Sequence, residues 1–177
     1  MLCFFIVFQF GFTQKVKLGS VTLEELSEKN HPIDSSASAA YLFKSGKTNF
    51  RLTTDGQWEI TTDVDVKIKI YKKEGLEFAN QQIPYYVGSN KERVVISDAF
   101  TYNIVNGKIE KTKLKSEGEF KEEVNERWNL KKITFPSVKE GSIIEYSYKI
   151  VSPYISNFSD WYFQYEIPVN YVKYEDL

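Results

Sequence analysis

An all-β fold, a mainly antiparallel β-sandwich carrying one short N-terminal helix, is what this sequence predicts, on three observations. From Trp58 to Tyr71, Trp58, Ile60, Thr62, Val64, Val66, Ile68 and Ile70 alternate with Glu59, Thr61, Asp63, Asp65, Lys67, Lys69 and Tyr71. That is the period of a strand with one buried and one wet face. The turn-forming pairs Asp55-Gly56, Asn106-Gly107 and Gly141-Ser142 separate such runs, and Asn-Gly is a strong hairpin signal because both residues tolerate positive φ. Between Ile133 and Pro168 the alternation recurs twice. Ile144, Tyr146, Tyr148 and Ile150 oppose Glu145, Ser147 and Lys149, then Trp161, Phe163, Tyr165 and Ile167 oppose Tyr162, Gln164 and Glu166, with Pro168 ending the run because it has no amide to donate. Two such runs this close are expected to be neighbouring antiparallel strands.

The elements follow in order. Thr22 and Glu25 have the spacing of a capping box, in which the threonine side chain accepts from the Glu25 amide and the glutamate reaches back. A short helix from Leu23 to Lys29 is predicted, packed at a sheet edge and stopped by His31-Pro32. Ser35 to Ala40 is small and polar, a connector. Asn49 to Thr53 pairs with the long strand through Asp55-Gly56, Gly75 to Gln82 reads as a helical turn, and Val94 to Val105 with Lys108 to Leu114 forms the Asn106-Gly107 hairpin. Ser116 to Lys132 is charged and poor in glycine, an exposed helix or loop. The layout is a leader over residues 1–13, a helix and connector over 14–39, and a β-sandwich over 40–177.

With 177 residues, 42% of them hydrophobic, one domain has enough chain to bury a core. Lys plus Arg number 23 against 24 for Asp plus Glu, so no long-range field draws the chain to nucleic acid or to anionic lipid. Met1 to Thr13, MLCFFIVFQFGFT, is uncharged and holds five of the thirteen phenylalanines. It is too short to span a bilayer as a helix and reads as the apolar part of a secretory signal cut near Gln14, which places the mature chain in the periplasm or outside the cell. The basic n-region usual in such signals is missing. Cys3 leaves with the leader, so neither a disulfide nor a thiol nucleophile remains.

The run Phe135-Pro136-Ser137-Val138-Lys139-Glu140-Gly141-Ser142-Ile143-Ile144-Glu145-Tyr146, followed by Trp161-Tyr162-Phe163-Gln164 and Ile167-Pro168-Val169, resembles a bacterial domain of unknown function. The likeness extends back through Ala99 to Asn103 with the Asn106-Gly107 turn, Val64, Lys67-Ile68 and Lys73-Glu74-Gly75, to Val21-Thr22-Leu23-Glu24-Glu25-Leu26. That family sits just upstream of a transglutaminase-like domain in exported proteins. The resemblance implies a neighbour in the same polypeptide whose catalytic cysteine, histidine and aspartate lie beyond Leu177.

Constellations able to carry chemistry are few. His31 is the only histidine, and a histidine base needs a nucleophile and an orienting carboxylate around it. With no Gly-x-Ser-x-Gly elbow in the chain, His31 reads as a surface residue ending the helix. Asp63 and Asp65 share a strand face and offer two oxygen ligands to a hard cation, yet Lys67 and Lys69 continue that face, and cross-strand charge pairing accounts for all four. Glu117, Glu119, Glu122, Glu123 and Glu126 stand among Lys121, Arg127, Lys131 and Lys132. Glycosidic acid-base work would require one of these carboxylates buried, whereas a mixed-charge run is a solvated face.

Aromatic residues, 16% of the chain, are the better candidates for binding. On a wet sheet face, rings stack on sugars or clasp an extended peptide, and between sheets they fill a core; the core takes most of them here. No catalytic residue, metal ligand or cofactor is expected. The anticipated role is a non-catalytic module that docks or presents substrate to the downstream transglutaminase-like domain, with a stand-alone cell-envelope binder of saccharide or peptide as the alternative. The last residues, Tyr171 to Leu177, look like a strand without a return partner.

Overall fold

The computed structural model describes residues 18–89, 91–156, 158 and 160–176; the proposed leader lies outside the described residues. Among the described residues nine strands make two sheets: β1 Ala39–Leu52, β2 Trp58–Ile70, β3 Asn80–Tyr86, β4 Arg93–Val105, β5 Lys108–Lys113, β6 Glu119–Glu123, β7 Trp128–Thr134, β8 Ile143–Ser152 and β9 Val172–Asp176. The larger sheet has the order β5-β4-β8-β2-β1-β9 and the smaller β3-β7-β6. These strands pair antiparallel except β1 with β9. The fold is all-β, as the alternation predicts.

One face of the larger sheet carries Val64, Val66, Ile68 and Ile70 of β2 and Ile144 and Tyr146 of β8, packed against Ile83 of β3, Ile133 of β7 and Phe135 just beyond it. Each such side chain contributes about 1.5–3 kcal/mol through burial. Both predicted hairpins form. Asn106 (φ 50°) and Gly107 (φ 76°) give the β4–β5 turn, and Gly56 (φ 79°) the β1–β2 turn.

The opposite face is not wet throughout. Helix α1, Leu23–Ser27, has the predicted capping box, but it lies on this face rather than at an edge, placing Leu26 with Tyr102 and Ile143. Lys67 and Lys69 beneath it are 1% and 0% exposed, although alternation assigns them to solvent. Periodicity tells which face a residue takes and cannot tell what later covers that face.

Other expectations are corrected or sharpened. Trp161 to Ile167 forms no strand, and the neighbours of β8 are β2 and β4. The segment is instead an irregular strap held by its rings, with Trp161 and Tyr165 turned toward the core and Tyr162 and Phe163 exposed. Ser116 to Lys132 is a 3-10 turn, Ser116–Gly118, followed by the β6–β7 hairpin; its mixed charges pair across strands, Glu119 with Lys131 and Glu122 with Lys132. The helical turn predicted at Gly75 is the 3-10 segment Lys73–Ala79, and β3 begins before it would have ended. The final run does find a partner, since β9 pairs in parallel with β1 from Lys44↔Val172 to Thr48↔Asp176.

The turn before β8 depends on Gly141, which sits at φ 86° with the space around a would-be Cβ open except for Leu26 O at 3.8 Å. The constraint is therefore backbone strain and not crowding. Gly141→Ala is expected to lower stability by about 1–2 kcal/mol, read as a fall in the urea midpoint at unchanged slope.

Candidate functional site

Residues of both sheets line a cleft of about 1230 Å³. Ile83 and Ile133 belong to the core. Further along the same face of the smaller sheet come Tyr85, Asn129 and Glu123, cross-strand neighbours that line the cleft with Lys121. Arg93-Val94-Val95 at the start of β4 line it with Val151, and so do Asp55, Ser89, Lys91, Glu92 and Asn125. Trp58, 53% exposed, also lines it.

Charge in this cleft is uneven. The acids Asp55, Glu59, Glu92, Glu123 and Glu126 outnumber Lys91, Arg93 and Lys121. Glu59 is engaged by Arg51 at 2.5 Å and Arg93 at 3.5 Å, and Lys121 pairs with Glu123 at 2.7 Å. Glu92 accepts from the Tyr86 amide at 2.8 Å. What is left over is acidic.

A second polar cluster lies under α1. Lys67 Nζ donates to Glu25 Oε1 at 2.7 Å and stands 3.7 Å from Glu145 Oε1, while the other Glu145 oxygen accepts from the Gly19 amide at 2.8 Å. Lys69 Nζ donates to the carbonyls of Leu26 and Gly141, each at 2.7 Å. Tyr71 donates to Glu28 at 2.8 Å. These bonds tie the N-terminal segment to the sheet.

The third feature is Lys44 on the inner face of β1. Its ammonium lies 4.3 Å from the ring centre of Tyr165, 5.1 Å from Trp161 and 5.6 Å from Tyr41, and it donates to the Tyr165 hydroxyl. A pocket of about 120 Å³ adjoins it.

Burial lowers Lys44 and Lys69 to about 8 from an ordinary 10.5, with Glu28 and Glu25 opposing the shift at Lys69. An unfolded chain therefore binds more protons than the folded one between pH 8 and 10.5, and these two lysines make stability rise with pH across that window. Burial does the reverse for the tyrosines. Tyr41 is raised to about 12, and Tyr71, Tyr102, Tyr146 and Tyr148 are raised as well, so above pH 10 the unfolded chain loses protons that the folded chain keeps. The urea midpoint is expected to climb from pH 7.5 to 9.5 and fall again by pH 11, and Lys44→Met with Lys69→Met should flatten the climb.

His31 is not at the surface. It is buried, with Nδ1 accepting from the Asp34 amide at 3.0 Å and Nε2 2.8 Å from Asn170 Oδ1, which fixes the tautomer with the proton on Nε2. It joins the N-terminal segment to the chain entering β9, a role its place before Pro32 does not reveal. Asp63 reaches Lys149 across the strands at 3.2 Å, and Asp65 accepts from Ser147 at 2.6 Å. Among the described residues no group of acids and histidines is arranged to hold a metal ion. Of the glutamate run, Glu123 and Glu126 border the cleft, while Glu119 and Glu122 pair with Lys131 and Lys132. Burial of Lys67 and Lys69 and half-burial of Lys44 do not follow from the alternation. The available signal was oppositely charged Glu25 and Glu145 at positions that topology brings beside Lys67.

A two-sheet β module with an open cleft and ion pairs directed mainly at its own architecture is the class these features define. The chain belongs to the family described as a domain of unknown function with a solved structure, DUF3857, whose model matches residues 54–175. No curated protein matches it in sequence. Among solved structures, a "putative protease" from Parabacteroides distasonis ATCC 8503 is similar with a TM-score of 0.52 at 14% identity, over 65% of this chain and 23% of that one. Native yeast LTA4 hydrolase gives a TM-score of 0.32 at 9% identity, over 64% of this chain and 14% of that one. The first likeness concerns the fold alone, and the chain spans less than a quarter of that protein's length.

Proposed function

We propose that this chain is a non-catalytic β module of an exported protein, placed N-terminal to a transglutaminase-like domain for which it docks or presents substrate. The observation that carries the reading is the cleft lined by both sheets, a large open surface on which Glu59 with Arg93 and Glu123 with Lys121 are held in ion pairs and so serve recognition better than proton transfer. The resemblance of its sequence to a domain found upstream of transglutaminase-like folds supports such a neighbour. A second reading, binding of a cell-envelope saccharide, is favoured by exposed Trp58 standing among Gln57, Asn129 and Glu123, since sugars stack on rings flanked by planar polar groups.

Reading the native gene across this segment tests the neighbour first, and the expected result is a downstream domain with cysteine, histidine and aspartate. Removing the module from that full-length protein should raise KM for peptide substrate at least tenfold while leaving kcat within a few-fold. Turnover by the isolated chain that disappears in Glu122→Gln or Glu123→Gln would overturn the reading. Titration with cell-wall oligosaccharides, followed by Trp58 fluorescence, separates the saccharide alternative.

A further inference from the structure

We propose that Arg93 to Asp98 of β4 is a strand-addition site, where an extended peptide bearing lysine or arginine side chains pairs its backbone with the free edge of the larger sheet along the wall of the cleft. It rests on the docking role proposed above and narrows the partner to one class.

Three observations place the site. First, β5 covers only part of β4. Their ladder runs from Val105↔Lys108 to Phe100↔Lys113 and closes with Leu114 N donating to Ala99 O at 2.9 Å. On the other side β4 is paired to β8 from Arg93↔Val151 onward. Among the described residues, Arg93 to Asp98 therefore has a ladder on one side and none on the other.

Second, the middle of this edge is less guarded than the other edges, although Arg93 and Asp98 stand at its ends. Natural sheets guard exposed strands with charges and prolines. Strand β5 reads KIEKTK, β6 EFKEE and β9 VKYED, and β3 contains Pro84. The free stretch Val94-Val95-Ile96-Ser97 has neither charge nor proline, and Val95 is an exposed apolar side chain. A β-bulge between Ile96 and Asp98 ends the stretch, so the open ladder is about six residues long, roughly 20 Å of extended chain.

Third, the surroundings select the occupant. Arg93, Val94 and Val95 line the cleft together with Tyr85 and Asn129, so its open volume adjoins this stretch. Acidic groups are in excess there, so side chains of an added strand meet a surface complementary to lysine and arginine. Main-chain pairing would supply affinity, and the acidic wall would set the preference for charge.

The test uses the whole chain and a capped nine-residue probe peptide, TKVTKVTKV, followed by amide exchange and by tryptophan fluorescence. Binding is expected to slow exchange in the fragment spanning Arg93 to Asp98 at least tenfold, with little change in the β5-covered part of β4. The same peptide N-methylated at alternate residues, and its glutamate counterpart TEVTEVTEV, should each bind at least tenfold more weakly. No protection of 93–98 at saturating peptide overturns the site. Equal binding of the N-methylated peptide overturns strand addition while leaving docking in the cleft standing, and equal binding of the glutamate peptide overturns the choice of a cationic partner. Protection that grows with protein concentration in the absence of peptide assigns the edge to a second copy of this chain, and also overturns the proposal.

Discussion

Lys67→Met is expected to destabilise the fold by about 3–5 kcal/mol, although methionine fills nearly the same volume. The lysine is 1% exposed and Glu145 beside it 2%, so the substitution leaves a buried carboxylate with the Gly19 amide at 2.8 Å as its hydrogen-bond donor. An uncompensated buried charge is costlier than a missing pair. Glu25 suffers less. Its side chain is 33% exposed and keeps its capping bond to the Thr22 amide at 2.9 Å. The charge explanation has a direct check in the double variant Lys67→Met with Glu145→Gln, where glutamine still accepts from Gly19 but carries no charge. Urea midpoints should show the double variant regaining more than half of the loss. If it regains nothing, the lysine stem and its packing matter more than its charge.

This network also explains where the sequence was transparent and where it was opaque. Strand β2, the β1–β2 and β4–β5 hairpins, and the capping box were legible because each rests on local rules: a period of two, a residue tolerant of positive φ, a threonine three positions before a glutamate. Burial of Lys67 and Lys69 depends on α1 folding back from more than thirty positions away in sequence, and no local pattern encodes that return. The strap is the opposite failure. Trp161, Phe163, Tyr165 and Ile167 have a strand's alternation, yet Tyr41 N is taken by Pro168 O and Lys44 N by Tyr171 O, so β1's edge is occupied beyond Pro168 and the earlier residues have no ladder to join. Alternation is necessary for a half-buried strand and insufficient without a free neighbour. The cleft was invisible for a related reason, since residues of both sheets line it and no residue type announces how two sheets come together. His31 belongs with the buried lysines, its partner Asn170 lying at the far end of the chain.

Replacing Trp161 by alanine should cost about 2–4 kcal/mol, whereas Tyr162→Ala should stay within about 0.5 kcal/mol. Trp161 lies over Gly46, where a methyl group added to the glycine would stand 2.5 Å from Trp161 Cζ3 and 2.8 Å from Tyr174 Cδ2, and its ring centre is 5.1 Å from that of Tyr174. Truncation removes the roof over that glycine and one of the three rings around Lys44. The figure is set below a fully buried tryptophan's because the side chain retains some exposure and its buried Nε1 has no hydrogen-bond partner among the described residues, so a polar cost disappears with the ring. Tyr162 is 61% exposed, and what it gives the strap is its backbone carbonyl, which accepts from the Tyr165 hydroxyl at 2.9 Å and survives the change. Gly46→Ala provides the reciprocal measurement. The added methyl pushes on the ring, with an expected loss of about 1–3 kcal/mol, but in a Trp161→Ala background the clash with the indole is gone. The loss in the double variant should therefore fall short of the sum of the singles by at least about 1 kcal/mol. Additive losses would mean that the two sites do not touch in solution, and a Tyr162 variant worse than the Trp161 variant would mean that the strap presents its other face to the core.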